Sequence, residues 1–243
     1  MEPLFTQTFE INDNVVDCYG RLKPSMILFF AQEIAGQHCN LLSVDYDTLA
    51  NKRMFWAVTR HRVQISRLPH RGETIRVETW PMPTTRVAYP RATVAYDADG
   101  KELFKSVAIW VLMDTDTRAM ILPSKSGVEV PGSVRGIEGA LPSSISVKHA
   151  ENRVCRTIGY SELDRNGHMN NTYYLTWTDD LLSSRFHAEH YLQGFNICYL
   201  AEGQEGQNVE LFWQLNEENT LLVEAKSAGE DAHRIFAVTA DYI

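Results

Sequence analysis

The sequence predicts an α+β protein in which a strand, a helix and a run of further strands are written once and then again. Three observations carry this. Residues 23–42 place apolar side chains at helical spacing, and residues 55–114 alternate them at strand spacing. After a stretch rich in glycine and serine, the same order returns.

Each element has a local reason. Residues 4–11 alternate as a short strand. In 23–42, Pro24 and Ser25 suit a helix start, and Ile27, Phe30, Ala31, Ile34 and Leu41 form an apolar stripe. From Phe55 the residues turn β-branched and aromatic. Strands are expected in WAVTRHRVQI, GETIRVETW, RVAYPRATVAY and KELFKSVAIWVLMD, with a hairpin turn at Asp97-Ala98-Asp99-Gly100 and a short strand at 118–122. Residues 124–146 hold Gly127, Gly132, Gly136, Gly139, Pro131 and Pro142, the composition of a linker crossing the surface. Beyond it, 154–160 reads as a strand and 172–187 as one helix, capped by Asn170 or Asn171. Further strands are expected at 195–200, 208–215, 221–228 and 233–242. The expected divisions are an N-terminal unit at 1–123, a linker at 124–150 and a C-terminal unit at 151–243.

Composition removes several classes. A chain of 243 residues buries enough surface to need no staples. The four cysteines, Cys18, Cys39, Cys155 and Cys198, lie far apart with no CxxC pair, against a disulfide framework or a zinc site. A net charge of −8 disfavours a nucleic-acid partner. No apolar stretch is long enough to span a bilayer, and MEPLFTQTFEI lacks the basic region and apolar core of a signal peptide. A soluble cytoplasmic protein is expected.

The two halves align. With Asp17 laid on Asp164, Gly20 meets Gly167 and Leu22 meets Met169, while Ile27, Phe30 and Ile34 meet Tyr174, Trp177 and Leu181. Downstream, with Gly72 on Gly206, Ile75-Arg76-Val77 meets Val209-Glu210-Leu211. This is the pattern of an internal duplication. A helix followed by antiparallel strands suits a curved sheet wrapped around that helix.

The chemistry concentrates in the second half. Asp164-Arg-Asn166-Gly-His168-Met-Asn170-Asn171 stands directly before a helix, whose first backbone amides and positive dipole end can hold a developing oxyanion. Asn166 can position a carbonyl or a water, and histidine is the side chain that titrates near neutral pH. A plain turn explains the Asp, Asn and Gly equally well. The first half keeps Asp17 and Gly20 but has Tyr19 for Asn166 and Arg21 for His168, so it retains what a turn needs and lacks what chemistry needs. Glu202 ends a strand-like stretch beside apolar residues and is a candidate general base. Its counterpart is Leu68, and a solvated loop glutamate is the plainer explanation.

Together these residues resemble the acyl-[acyl-carrier-protein] thioesterase family over nearly the whole chain. The resemblance rests on Asp164, Asn166, His168, Asn170 and Asn171, and on Tyr199-Leu-Ala-Glu202. It implies a tandem hotdog fold and hydrolysis of acyl thioesters. Asp164, Asn166, His168 and Glu202 would be catalytic, and Asn170 and Asn171 would face the substrate. Plant members carry a cysteine after the glutamate. Here that position is Gly203, which favours direct attack by water over a thiolate. The first unit would be a scaffold lining the acyl tunnel, with Met26, Phe29 and Phe30 against the chain. Thioester hydrolysis needs no metal or organic cofactor.

The implied partner is an acyl-carrier protein with a phosphopantetheine-linked acyl chain, and there is room for a homodimer. Residues 51–72 contain Lys52, Arg53, Arg60, Arg62, Arg67 and Arg71 and no acid, so Arg60 and Arg62 could steer an acidic carrier despite the net charge. An acyl-CoA thioesterase, a hotdog hydratase and a non-catalytic acyl-binding module remain alternatives.

Overall fold

The computed structural model describes residues 3–132, 137, 141–147, 150 and 152–243; the rest of the expected 124–150 linker lies outside them. The chain divides into two compact units, Met1–Pro142 and Ser143–Ile243. Both are α+β with antiparallel strands.

The first unit runs β1 (Phe5–Glu10), a 3-10 turn at Asp13–Val15, α1 (Pro24–Leu41), α2 (Tyr46–Ala50), β2 (Met54–Ile65), β3 (Thr74–Pro81), β4 (Tyr89–Tyr96), β5 (Glu102–Asp114), β6 (Met120–Ile121) and α3 (Pro123–Ser126). Its sheet order is β1-β3-β4-β5-β2, with β6 beside β5. Pro24 opens α1 where a missing N–H costs nothing. The helix buries Ile27, Leu28, Phe30, Ala31, Ile34, Ala35 and His38. Leu41, expected in the stripe, is 62% exposed, because the helix ends there and Leu42 takes the buried place. The short helix α2 lies outside the segments of apolar periodicity. Its signal was Asp45, whose side chain accepts the Thr48 N–H at 3.0 Å. Phe9 against Phe30 and Phe5 against His38 bring one face of the sheet to α1.

The second unit runs β7 (Asn152–Thr157), a 3-10 turn at Tyr160–Glu162, α4 (Asn171–Asp179), α5 (Ser184–Glu189), β8 (Leu192–Tyr199), β9 (Asn208–Leu215), β10 (Thr220–Ser227) and β11 (Arg234–Tyr242). Its order, β7-β9-β10-β11-β8, repeats the path of the first unit. The single helix expected at 172–187 is two. After Asp179 the chain turns, and Ser183 caps α5 by accepting the Phe186 N–H. Helical spacing of apolar residues continues across that turn, so periodicity alone does not reveal it.

The linker's described ends run mostly along the surface, each anchored by a buried apolar residue. Val128 is buried against Tyr89 and Leu112 in the first unit. Ile145 packs on Cys198 and Ala237 in the second, and Ser143 O accepts from Asn196 Nδ2 at 3.0 Å. Among the described residues, no helix is long and apolar enough to cross a membrane.

Candidate active site

The Asp164–His168 segment is a tight loop organised by one carboxylate. Asp164 Oδ1 accepts the N–H of Asn166 at 2.8 Å and that of His168 at 3.3 Å, and Oδ2 accepts from Asn166 Nδ2 at 3.3 Å. The Asp164 N–H donates to His168 O at 2.7 Å. Gly167 closes the turn at φ +77°, a conformation that side chains disfavour. The loop thus holds His168 on a backbone that cannot easily shift.

Glu202 reaches that histidine: its Oε2 lies 3.3 Å from His168 Nε2. The pairing is built into the backbone, since Met169 N–H donates to Gly203 O at 2.8 Å and His168 bridges to Gln204. The His168 side chain is 15% exposed and that of Glu202 41%, so the histidine is the enclosed partner and the carboxylate the one open to water.

Tyr174, which the sequence places only in the buried stripe of the second helix, also belongs to this site. It is 3% exposed and packs edge-on against Tyr199 and Phe236. Its hydroxyl accepts the Gly203 N–H at 3.3 Å, tying the Glu202–Gly203 turn to α4. Burial, with the negative charges of Asp164 and Glu202 nearby, pushes its pKa up to about 12, so it stays a neutral phenol. The available signal was a tyrosine inside the second unit's apolar stripe where the first unit has Ile27.

Asn170 is the cap of α4: Oδ1 accepts from Thr172 N at 3.0 Å and Thr172 Oγ1 at 2.9 Å. The Tyr173 N–H goes to Asn170 O. Two amides of the first turn are therefore engaged, which narrows the expected oxyanion donors to Asn171 N–H in that turn. Asn171 O accepts from Tyr199 OH at 3.4 Å.

The first unit repeats the loop without the Asn, His and Glu. Asp17 N–H donates to Arg21 O at 2.7 Å, Leu22 N–H to Pro69 O at 2.8 Å, and Gly20 stands at φ +74°. Here the Arg21 guanidinium folds back onto Asp17 at 3.0 Å and over the Tyr19 ring. Leu68 stands where Glu202 does.

The remaining candidates are dispersed. Cys198 is 2% exposed, and its Sγ donates to Ser143 O at 3.3 Å. Its neighbour Tyr199 faces Tyr174, so the thiol lies on the other face of β8. On α1, Phe30 is buried, Met26 half-buried and Phe29 44% exposed. The basic stretch is not acid-free in space: Arg53 pairs with Asp116, Arg67 with Glu73 and Asp97, and Arg71 with Asp13. Arg60 and Arg62, on the β2 face turned away from α1, form no ion pair among the described residues.

Known proteins share this fold. The structure is similar to an acyl-ACP thioesterase from Bacteroides thetaiotaomicron, with TM-score 0.89 and 24% identity over 99% of this chain and 98% of that one. It is also similar to the 12:0-ACP thioesterase of Umbellularia californica, with TM-score 0.84 and 19% identity over 100% and 98%. These likenesses define the fold as that of the acyl-ACP thioesterases. The acyl-ACP thioesterase N-terminal domain matches residues 2–123 and the C-terminal domain residues 146–239, so the chain belongs to this family. A palmitoyl-acyl carrier protein thioesterase of Gossypium hirsutum, described as chloroplastic, is 24% identical over 89% of this chain. The chain spans 56% of that relative's length.

Proposed function

We propose that this protein is a tandem hotdog thioesterase that hydrolyses acyl-[acyl-carrier-protein] thioesters to free fatty acid and carrier protein. The observation that carries this is the 3.3 Å contact between His168 and Glu202 beside the start of α4, in a chain of this family. The thioester carbonyl would sit near the Asn171 amide. Glu202 takes a proton from a water whose oxygen attacks the carbonyl carbon. As the tetrahedral intermediate collapses, the C–S bond breaks and His168 protonates the leaving thiolate. Asn166 orients the water or the carbonyl, Asp164 holds the loop, and Asn170 and Asn171 shape the substrate's approach.

The halves divide the labour. Residues 1–123 act as the scaffold and acyl-binding unit, with Met26, Phe29 and Phe30 against the chain, and residues 151–243 act as the catalytic unit. Arg60 and Arg62 steer the acidic carrier. Four free thiols suit a reducing, cytoplasmic setting. A second reading is an acyl-CoA thioesterase on the same fold. The test is the free-fatty-acid profile of cells overproducing the protein, followed by competition between the two thioesters for the purified enzyme. Free acid accumulation with preference for the carrier-bound substrate supports the first reading; preference for acyl-CoA supports the second.

A further inference from the structure

The strand registers of the first unit gather polar side chains on the face toward α1. Thr79, Thr93 and Ser106 stand in one row across neighbouring strands. Arg91, Ala108 and His61 form the next row, and Gln7, opposite Val77, belongs to the row on the other side. Between them lie Val63, Val77, Ala95 and Phe104, so the face is hydrocarbon with a polar band.

That band is buried and incompletely satisfied. Arg91, 7% exposed, has Nη1 at 3.1 Å from His38 Nδ1 and 3.4 Å from Thr79 Oγ1, and Nη2 at 3.8 Å from Cys39 Sγ. Among the described residues, no carboxylate pairs with it. Among the described residues, Ser106 Oγ, His61 Nε2 and Gln7 Oε1 are buried with no hydrogen-bond partner. Ser106 is 3% and His61 6% exposed.

The second unit follows the same strand path with an apolar face. Its registers put Leu221 at the place of Arg91, Val223 at Thr93, Val238 at Ser106, Phe195 at His61, Trp213 at Thr79 and Val154 at Gln7. The architecture therefore accommodates hydrocarbon throughout. An unpartnered buried polar atom is destabilising, and a buried guanidinium without a carboxylate more so. Such groups persist where a ligand's polar atoms complete them.

The donors and acceptors describe that ligand. Arg91 only donates, Gln7 Oε1 only accepts, and Ser106 does either. Burial pushes the His61 imidazole down to about 4, so near neutral pH it is uncharged and its Nε2 donates or accepts according to tautomer. One ligand oxygen could satisfy members of this set while an apolar chain covers the rest.

We propose that the helix-facing side of the first unit's sheet binds acyl chains carrying a hydroxyl or keto oxygen along their length, and that Arg91, Ser106 and His61 recognise that oxygen. The proposal rests on the first unit being the acyl-binding one, and it specifies the substrate class.

The experiment measures two things on the full chain. Calorimetric titration compares saturated fatty acids of eight to eighteen carbons with their mono-hydroxy and mono-oxo derivatives. Turnover compares the corresponding carrier-protein thioesters. At least one oxygenated chain is expected to bind about 10-fold more tightly than its plain counterpart, the effect of one good hydrogen bond. Ser106→Val and Arg91→Leu, which install the second unit's residues, should abolish that preference while plain chains bind at least as well. Ser106→Thr, which keeps the hydroxyl, should retain it, and melting curves confirm folding of each variant. Equal binding of plain and oxygenated chains throughout overturns the proposal, as does a preference that survives both apolar variants. A binding preference without any hydrolysis upholds this site and removes the thioesterase reading; hydrolysis without preference does the reverse.

Discussion

His168 Nε2 lies 3.3 Å from Glu202 Oε2, and their two segments are joined by the Met169 N–H to Gly203 O bond at 2.8 Å. In the proposed mechanism two groups held this way would act as one unit. His168→Ala and Glu202→Ala should each lower kcat by at least ~10²-fold, the scale of a general acid or base. The double variant should fall little below the worse single one, because effects within a unit are not additive. Steady-state kinetics of the three variants check this; a double loss equal to the product of the single losses would mean independent roles.

The position after Glu202 is sterically closed. A Cβ at Gly203 would come 2.6 Å from Ile158 Cδ1 and 3.3 Å from both Met169 Cβ and Tyr174 Oη. Gly203→Cys should therefore lower stability by about 1–3 kcal/mol, the usual effect of overpacking, and bring no gain in turnover. Cys198→Ala should keep most activity, since that thiol faces away from Tyr174. Urea unfolding and kinetics of both variants decide the matter, and a more active Gly203→Cys enzyme contradicts it.

Much of this site is legible in sequence because its geometry is local. Asp164, Gly167 and Asn170 act on residues two to four positions away, so their spacing announces the turn and the cap. Glu202 is found through the glycine that follows it and through its contrast with Leu68. The Tyr174 hydroxyl is not legible, because its partner is the distant Gly203 N–H. Nor is the polar band: Arg91, Ser106 and His61 sit on separate strands, and only register puts them on one face. Apolar periodicity does not mark where a helix stops, so it carries the buried stripe on to Leu41 and runs α4 into α5.

Tyr174→Phe isolates one bond. It removes the acceptor for Gly203 N–H and keeps the ring edge-on against Tyr199 and Phe236. An unpartnered buried amide costs about 1–3 kcal/mol, so the melting temperature should drop. With Glu202 less well held, kcat should fall by about tenfold, with KM little changed. A variant with normal stability and normal kcat would show that this bond neither holds the turn nor places Glu202.

His61 supplies a pH signature. Burial takes its pKa from 6.5 to about 4 in the folded state. Between those values the unfolded chain binds the extra proton and the folded chain resists it, so stability falls as pH falls. Its contribution is intact above pH 6.5 and lost on passing through pH 4, a change of about 3 kcal/mol. In urea unfolding at pH 7.5 and 4.5, His61→Phe should lose about 2–3 kcal/mol less on acidification than the unmodified protein. Equal losses would mean that His61 titrates normally when folded.

The central claim is that Glu202 and His168 drive attack of water on a carrier-bound thioester. Its most direct test is the rate of free-acid release from a purified acyl-[acyl-carrier-protein] by the unmodified protein, Glu202→Ala and Cys198→Ala. The account predicts turnover that drops at least ~10²-fold in Glu202→Ala and stays close to normal in Cys198→Ala. No release by the unmodified protein, or a dead Cys198→Ala beside a normal Glu202→Ala, would contradict it.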